Sequence, residues 1–310
     1  MPKSFPSSFW FSKFSLALVV VLCGGVSVVK AQDDEVVRVT TDLVVLNITV
    51  TDAAGQYVPG LRRSDFKVYE DGKEVAPELI TSFALQESPF ASVVLLDTSG
   101  SMESRMSLGR SAAIRFLDGL REEDVAAVFK FDTKVEQIQD FSGSRDLAPM
   151  VYGLRAKGMT TLNDAIIDAA DALNKRTEPR KAIIVLSDGI DTYSKASMEK
   201  ALDSALSVGA SIYSVDMSAT DGSSSGNTQS AMILRTLADK TGGRFVATPG
   251  GPALRDAFAG IANELGHQYT LAYRPVNKSH DGKWRTLEVK LTHGQDLTVR
   301  TRKGYRALKK

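Results

Sequence analysis

Asp97, Ser99 and Ser101 occupy alternate positions in the run Leu95-Leu96-Asp97-Thr98-Ser99-Gly100-Ser101-Met102, directly after an apolar stretch. One carboxylate and two hydroxyls are hard oxygen donors, the kind that magnesium, manganese and calcium prefer. Taken alone the spacing says little, because Asp, Ser and Gly are ordinary turn residues at the end of any strand. A second apolar stretch also ends in an acid, in Leu186-Ser187-Asp188-Gly189. Between the two, Gly158-Met159-Thr160-Thr161-Leu162 reads as a loop opening a helix and adds the Thr160 hydroxyl. The set of two carboxylates and three hydroxyls contains no histidine or cysteine, so it suits magnesium first, with manganese or calcium as alternatives, and suits zinc or copper poorly.

These residues need elements that bring them together. From Ser92 onward apolar runs alternate with amphipathic stripes. Val93-Val94-Leu95-Leu96, Ala182 to Leu186 and Ile212-Tyr213-Ser214-Val215 read as strands buried on both faces, as in a parallel sheet. Met106, Ala113, Leu117 and Leu120 form one helical stripe; Leu162, Ile166, Ala169 and Leu173 another; Leu254, Phe258, Ile261 and Leu265 a third. The alternation predicts a doubly wound α/β fold, a mostly parallel sheet with helices on both faces. Parallel strands point the same way, so Asp97 and Asp188 emerge at one carboxyl edge, where open α/β folds bind ligands, and the helix at Leu162 starts there too.

The flanks follow a period of two. Leu46, Ile48 and Val50, then Phe66 and Val68, then Tyr269, Leu271 and Tyr273, then Leu287, Val289 and Leu291 mark half-buried strands, and Asp71-Gly72 marks a tight hairpin. Each flank holds too few strands for a core of its own. Two arrangements fit: residues 36–88 and 267–310 pair as one β sandwich with residues 92–266 inserted, or they form two separate β appendages.

Asp97-Thr98-Ser99-Gly100-Ser101, Thr160 and Asp188-Gly189, in that order on alternating strands and helices, resemble the metal-ion-dependent adhesion site of von Willebrand factor type A domains. The resemblance covers about Ser92 to Gly266. It implies that Ser99, Ser101 and Thr160 contribute hydroxyl ligands, that Asp97 and Asp188 bind the cation directly or through water, and that an acidic group of a protein partner completes the metal shell. It also implies adhesion or protein binding rather than catalysis. The flanks, with the ending Arg302-Lys303-Gly304-Tyr305, resemble secreted acidobacterial proteins of this kind.

Composition sets the wider bounds. The 310 residues carry 38 basic against 37 acidic side chains, leaving no global field for nucleic acid. Lys3 and Lys13, the apolar stretch Phe14 to Val29 and Val29-Lys30-Ala31 read as a cleavable secretory leader over residues 1–31, which points to a secreted, periplasmic or envelope protein with no membrane span after cleavage. Cleavage there removes Cys23, the one cysteine, and with it any disulfide or thiolate chemistry.

Plainer roles suit several other residues. Asp132 fits a strand-end turn or a supporting acid behind the site; Asp164 fits the first turn of the Leu162 helix, where an acid favours the dipole; Asp191 fits a cap on the helix that follows. His267, His280 and His293 read as solvated loop histidines, the basic end from Arg300 to Lys310 as a solvated strand and tail, and Asp221 to Ser230 as a mobile surface loop. Two further functions compete with metal-dependent adhesion. A metal-free scaffold in an envelope assembly keeps the fold alone. A magnesium-dependent phosphatase with Asp97 as nucleophile conflicts with Ser99, which stands where such enzymes of the haloacid dehalogenase type carry a second aspartate. A serine hydrolase lacks a histidine base between Ser92 and Leu265.

Overall fold

A computed structural model describes residues 43–309 apart from 86–87, 189–190, 218–228, 248–250 and 295. The expected leader, residues 1–31, and Cys23 lie outside the described residues.

Alternating side chains make the first strands. In β1 (Val44–Thr51), Leu46, Ile48 and Val50 are buried. β2 (Phe66–Glu70) buries Phe66 and Val68 and turns into β3 (Lys73–Glu74) through Asp71 at φ 48° and Gly72 at φ 77°, the pair of left-handed residues that a two-residue hairpin requires. β4 (Ile80–Ala84) follows.

The central strands of the next sheet have no exposed face. β5 (Phe90–Asp97) is buried along its whole length. After it come α1 (Met106–Asp118), β6 (Val125–Phe131), β7 (Val135–Ser142), α2 (Leu162–Asn174), β8 (Arg180–Ser187), α3 (Met198–Ser207), β9 (Ala210–Asp216), α4 (Gln229–Thr241), β10 (Phe245–Ala247) and α5 (Gly251–Gly266). The sheet order is β10-β9-β8-β5-β6-β7, parallel throughout except for β7, which runs antiparallel at the edge beside β6. Val94, Leu96, Val128 and Ile184 pack under α1 and α5, while Val93, Leu95, Ile183 and Val185 pack under α2, α3 and α4. Burial on both faces is why the strands read as unbroken apolar runs. Gln229 and Ser230 belong to α4 and not to the surface loop expected through Ser230; the rest of that loop, to Thr228, lies outside the described residues.

The chain then returns to period two in β11 (Tyr269–Tyr273), β12 (Trp284–Leu291), β13 (Thr298–Arg300) and β14 (Gly304–Arg306). β1 lies between β13 and β11 in the sheet β13-β1-β11-β4, with Leu46 opposite Leu271; β2 pairs with β12 in the sheet β14-β12-β2-β3, with Val68 opposite Val289. The two antiparallel sheets share one core of Leu46, Ile48, Phe66, Val68, Leu271 and Val289. Among the described residues no helix is long and apolar enough to cross a membrane.

Polar groups join this β sandwich to the α/β sheet. Glu264, near the end of α5, accepts hydrogen bonds from Tyr213 Oη at 2.7 Å, from Thr49 Oγ1 at 3.4 Å and from Arg300. The Gln268 amide donates to Thr49 Oγ1 at 3.1 Å and to Tyr213 Oη at 3.0 Å. These contacts correct the expectation of a solvated basic tail. Arg302 is buried, donates to the Leu206 carbonyl at 2.8 Å, and is pushed down to about 10 by that burial. Arg306 pairs with Glu199 and, at 2.7 Å, with Asp203. The basic residues are spaced as on a solvated strand, but β13, β14 and the segment between them lie against the α/β body, whose acids and carbonyls they meet.

Candidate functional site

Asp97 ends β5 and Asp188 follows the last residue of β8, so the paired parallel strands deliver both acids to the carboxyl edge. Both are buried, Asp97 to 2% exposure and Asp188 to 6%. Asp97 Oδ1 accepts from the Ser99 amide at 2.8 Å, and Oδ2 accepts from Ser187 Oγ at 2.5 Å. Ser99 Oγ and Ser101 Oγ lie 3.2 Å apart, Ser99 buried and Ser101 exposed. Ser187 is the participant that sequence reasoning missed. Its hydroxyl, in the last position of β8, orients the Asp97 carboxylate from the neighbouring strand, and the strand-end run Leu186-Ser187-Asp188 held the only signal for it.

Thr160 reaches this edge through the backbone. Gly100 N donates to the Gly158 carbonyl at 3.1 Å and Lys157 N to the Thr98 carbonyl at 2.8 Å, which lays the loop before α2 against the loop after β5. Gly158 has φ 77°, and a Cβ there would sit 2.4 Å from Thr133 Oγ1, so both backbone conformation and space demand glycine. Thr160 itself is buried, with its amide donating to Thr192 Oγ1 at 3.0 Å and its carbonyl accepting from Thr192 N and Tyr193 N. Sheet pairing and these backbone bonds thus bring Asp97, Ser99, Ser101, Thr160 and Asp188 to one edge; Gly189 lies outside the described residues.

The other acids brace that edge. Asp132 pairs with Lys130 at 3.3 Å, accepts from Lys134 N at 3.1 Å, and receives the Thr98 hydroxyl at 3.3 Å, so it ends its strand and also steadies the loop after Asp97. Burial pulls its pKa upward, yet the Lys134 amide and the Lys130 ammonium outweigh that and hold the carboxyl below the usual range. Asp164 accepts from Lys195 N and Ala196 N, each at 3.0 Å. Asp191 does not cap the helix that follows it. Its carboxylate accepts from Asn163 N at 2.8 Å, in the first turn of the preceding α2, and from Ser194 Oγ at 2.6 Å, because the loop after β8 folds back over that helix start.

Electrostatics separates Asp97 from these braced acids. Desolvation pushes its pKa up to about 6; hydrogen bonds from Ser187 and Ser99 pull the other way, and the nearby Asp188 charge adds to the rise. Among the described residues Asp188 Oδ1 is buried without a hydrogen-bond partner. An orphaned buried carboxylate oxygen close to a second buried acid is costly unless a positive charge joins them. Among the described residues no three His, Cys, Asp or Glu side chains are grouped to hold an ion. A cation at this edge therefore depends on hydroxyl and water oxygens beside its two acids, a donor set that fits magnesium, manganese or calcium. His267 stacks on Tyr57 with ring centroids 5.1 Å apart, so it is a packed residue where a solvated one was expected.

Comparison with known proteins matches residues 92–190 to the family described as von Willebrand factor type A domain. Inter-alpha-trypsin inhibitor heavy chain H3 of Rattus norvegicus is 28% identical over 109 residues, a match covering 31% of this chain and 12% of that protein. Similar solved structures include a von Willebrand factor type A protein from Catenulispora acidiphila, 14% identical over 87% of this chain and 75% of that one with a TM-score of 0.49. The PilB minor pilin from Streptococcus sanguinis is 17% identical over 58% of this chain and 62% of that one, with a TM-score of 0.46.

Proposed function

We propose that residues 92–190, which match the von Willebrand factor type A domain, form such a domain, and that Asp97, Ser99, Ser101, Thr160 and Asp188 hold a divalent cation that grips a carboxylate of a protein partner. Magnesium is the first candidate, with manganese or calcium as alternatives, and the setting is extracellular, periplasmic or at the envelope. The observation that supports this best is the buried pair of Asp97 and Asp188 with one carboxylate oxygen left unpartnered. A bound cation would supply the missing positive charge and an exchangeable coordination position for an incoming carboxylate.

The chain's own residues prepare that position. Ser187 and the Ser99 amide fix the Asp97 carboxylate, while Asp132 and the Gly158 carbonyl steady the loop that carries Ser99 and Ser101. Fixed donors lose little freedom when a ligand arrives. The role is binding and not catalysis: both Asp97 oxygens are engaged, and Ser99 offers no second acid to serve a leaving group.

Calorimetric titration of chelator-treated protein with each ion tests this, alongside a pull-down from envelope extracts with and without chelator. Ion uptake that Asp97→Ala abolishes, with capture that chelator abolishes, supports the reading. Capture indifferent to chelator and to Asp97→Ala leaves a metal-free scaffold in its place.

A further inference from the structure

The loops around this edge are charged in one sense. Those after β5 and β6, before α2 and after β8 are stitched together by the bonds from Lys157 N to Thr98, Gly100 N to Gly158, Met159 N to Thr133 Oγ1 at 3.2 Å and Lys195 N to Asp164. Exposed on them are Lys134, Arg155, Lys157 and Lys195. Among the described residues these four form no ion pair. Of the acids on the same loops, Asp132 and Asp191 are occupied by internal partners, while Glu103 and Asp146 are exposed, Asp146 where the loop before α2 leaves β7 at the opposite sheet edge. With 38 basic and 37 acidic residues in the chain, this excess comes from placement and not from composition.

Apolar surface lies at the same rim. Met159 is 52% exposed and Tyr193 is 53% exposed. Met159 precedes Thr160, and Tyr193 N donates to the Thr160 carbonyl at 3.0 Å, so the two flank one proposed ligand residue. Single exposed apolar side chains are ordinary on any protein. Two that border the same residue, inside a basic ring, form a surface with a chemical preference.

We infer that this rim receives an acidic segment of a protein partner in which an apolar or aromatic side chain neighbours the carboxylate that meets the cation. The inference rests on the cation reading for its anchor, but the charge and apolar character of the rim do not. A cation–carboxylate bond alone accepts any accessible acid. Lysines and arginine around it favour an acidic neighbourhood and speed encounter, an effect that falls with salt. Met159 and Tyr193 add short-range contact that only an apolar neighbour returns, and selectivity between acidic segments follows from that difference.

Fluorescence anisotropy with three labelled synthetic peptides of equal length, in magnesium, tests this. One is acidic with Phe beside its central Asp, the second has Ser in place of that Phe, and the third keeps a single Asp among neutral residues. The purified protein should bind the first most tightly, about tenfold over the third, with the gap closing as salt rises. Lys157→Glu with Lys195→Glu should remove the advantage of acidic peptides and spare the neutral one. Met159→Ser with Tyr193→Ser should erase the difference between Phe and Ser peptides. Thermal melts of these surface variants should match the parent. Equal binding of the three peptides, or variants that leave the preferences intact, overturns the rim while calorimetric ion uptake still stands. Acidic-peptide binding that persists in chelator supports the rim and overturns the cation anchor instead.

Discussion

Glu264 and Asp97 are both 2% exposed, yet one sits among its countercharges and the other beside a second acid. At the junction between the sandwich and the sheet, Glu264 receives Arg300, Tyr213 and Thr49, and Arg244 Nε lies 3.9 Å away. At the carboxyl edge, among the described residues, Asp97 receives the neutral Ser187 hydroxyl and Ser99 amide and no cation, with the like charge of Asp188 nearby. A buried acid that holds a fold together brings its cation in the same chain. Under the proposed function, one left without such a partner, at a sheet edge lined with hydroxyls, takes its cation from solution.

Breaking the first region should cost most. Arg300→Ala leaves Glu264 buried with less compensation and should lower stability by about 3 kcal/mol in urea unfolding, at the lower end of what losing one partner of a buried pair costs because Arg300 is partly exposed. The second region should respond with the opposite sign. Asp97 titrates near 6 in the folded chain, above its value in the unfolded chain, so the folded state binds the extra proton between roughly pH 4 and 6. Its contribution to stability is therefore full below about pH 4 and lost as pH rises through about 6, a swing on the order of 3 kcal/mol in the cation-free protein. Unfolding measured against pH with chelator should show this fall, and saturating magnesium should offset it at neutral pH.

Gly158→Ala should cost about 2 kcal/mol, combining a left-handed conformation with the clash against Thr133, and should weaken ion uptake by displacing the loop before Thr160. Asp188→Asn sharpens the contrast further. It removes a repulsive charge beside Asp97 and should raise cation-free stability by up to about 1 kcal/mol while reducing ion uptake. Thr160→Ala should have the smallest effect, weakening partner capture less than Asp97→Ala does, since water can replace one neutral oxygen.

The same contrast decides what was readable from the sequence. The α/β class, its parallel sheet and the three amphipathic helices were legible because double-faced burial writes unbroken apolar runs and single-faced burial writes a helical stripe. α3 is legible only as the helix expected after Asp191, without a stripe of its own, although Ser197 caps it, accepting from Lys200 N at 3.3 Å, because alanines at 201 and 205 dilute the buried face. β7 was missed because an edge strand buries little: none of Val135–Ser142 is fully buried. At the carboxyl edge, Asp97, Ser99 and Ser101 stand two apart and become readable once a second strand also ends in an acid, Asp188, whereas the support from Ser187 crosses between strands and has no local pattern. The junction was opaque for the same reason. Arg300 meets Glu264 across 36 residues and Arg302 meets Leu206 across 96, so a basic end that looked solvated packs against the α/β body, with Arg302 buried.

Uptake of a cation by the acidic edge, independent of the junction, is the central expectation for this molecule. Isothermal calorimetry of chelator-treated protein with magnesium and manganese, run in parallel on the wild type, Asp97→Ala and Arg300→Ala, measures this directly. Saturable uptake is expected for the wild type and for folded Arg300→Ala, and none for folded Asp97→Ala. Absence of uptake by the wild type, or uptake undiminished in Asp97→Ala, would contradict it.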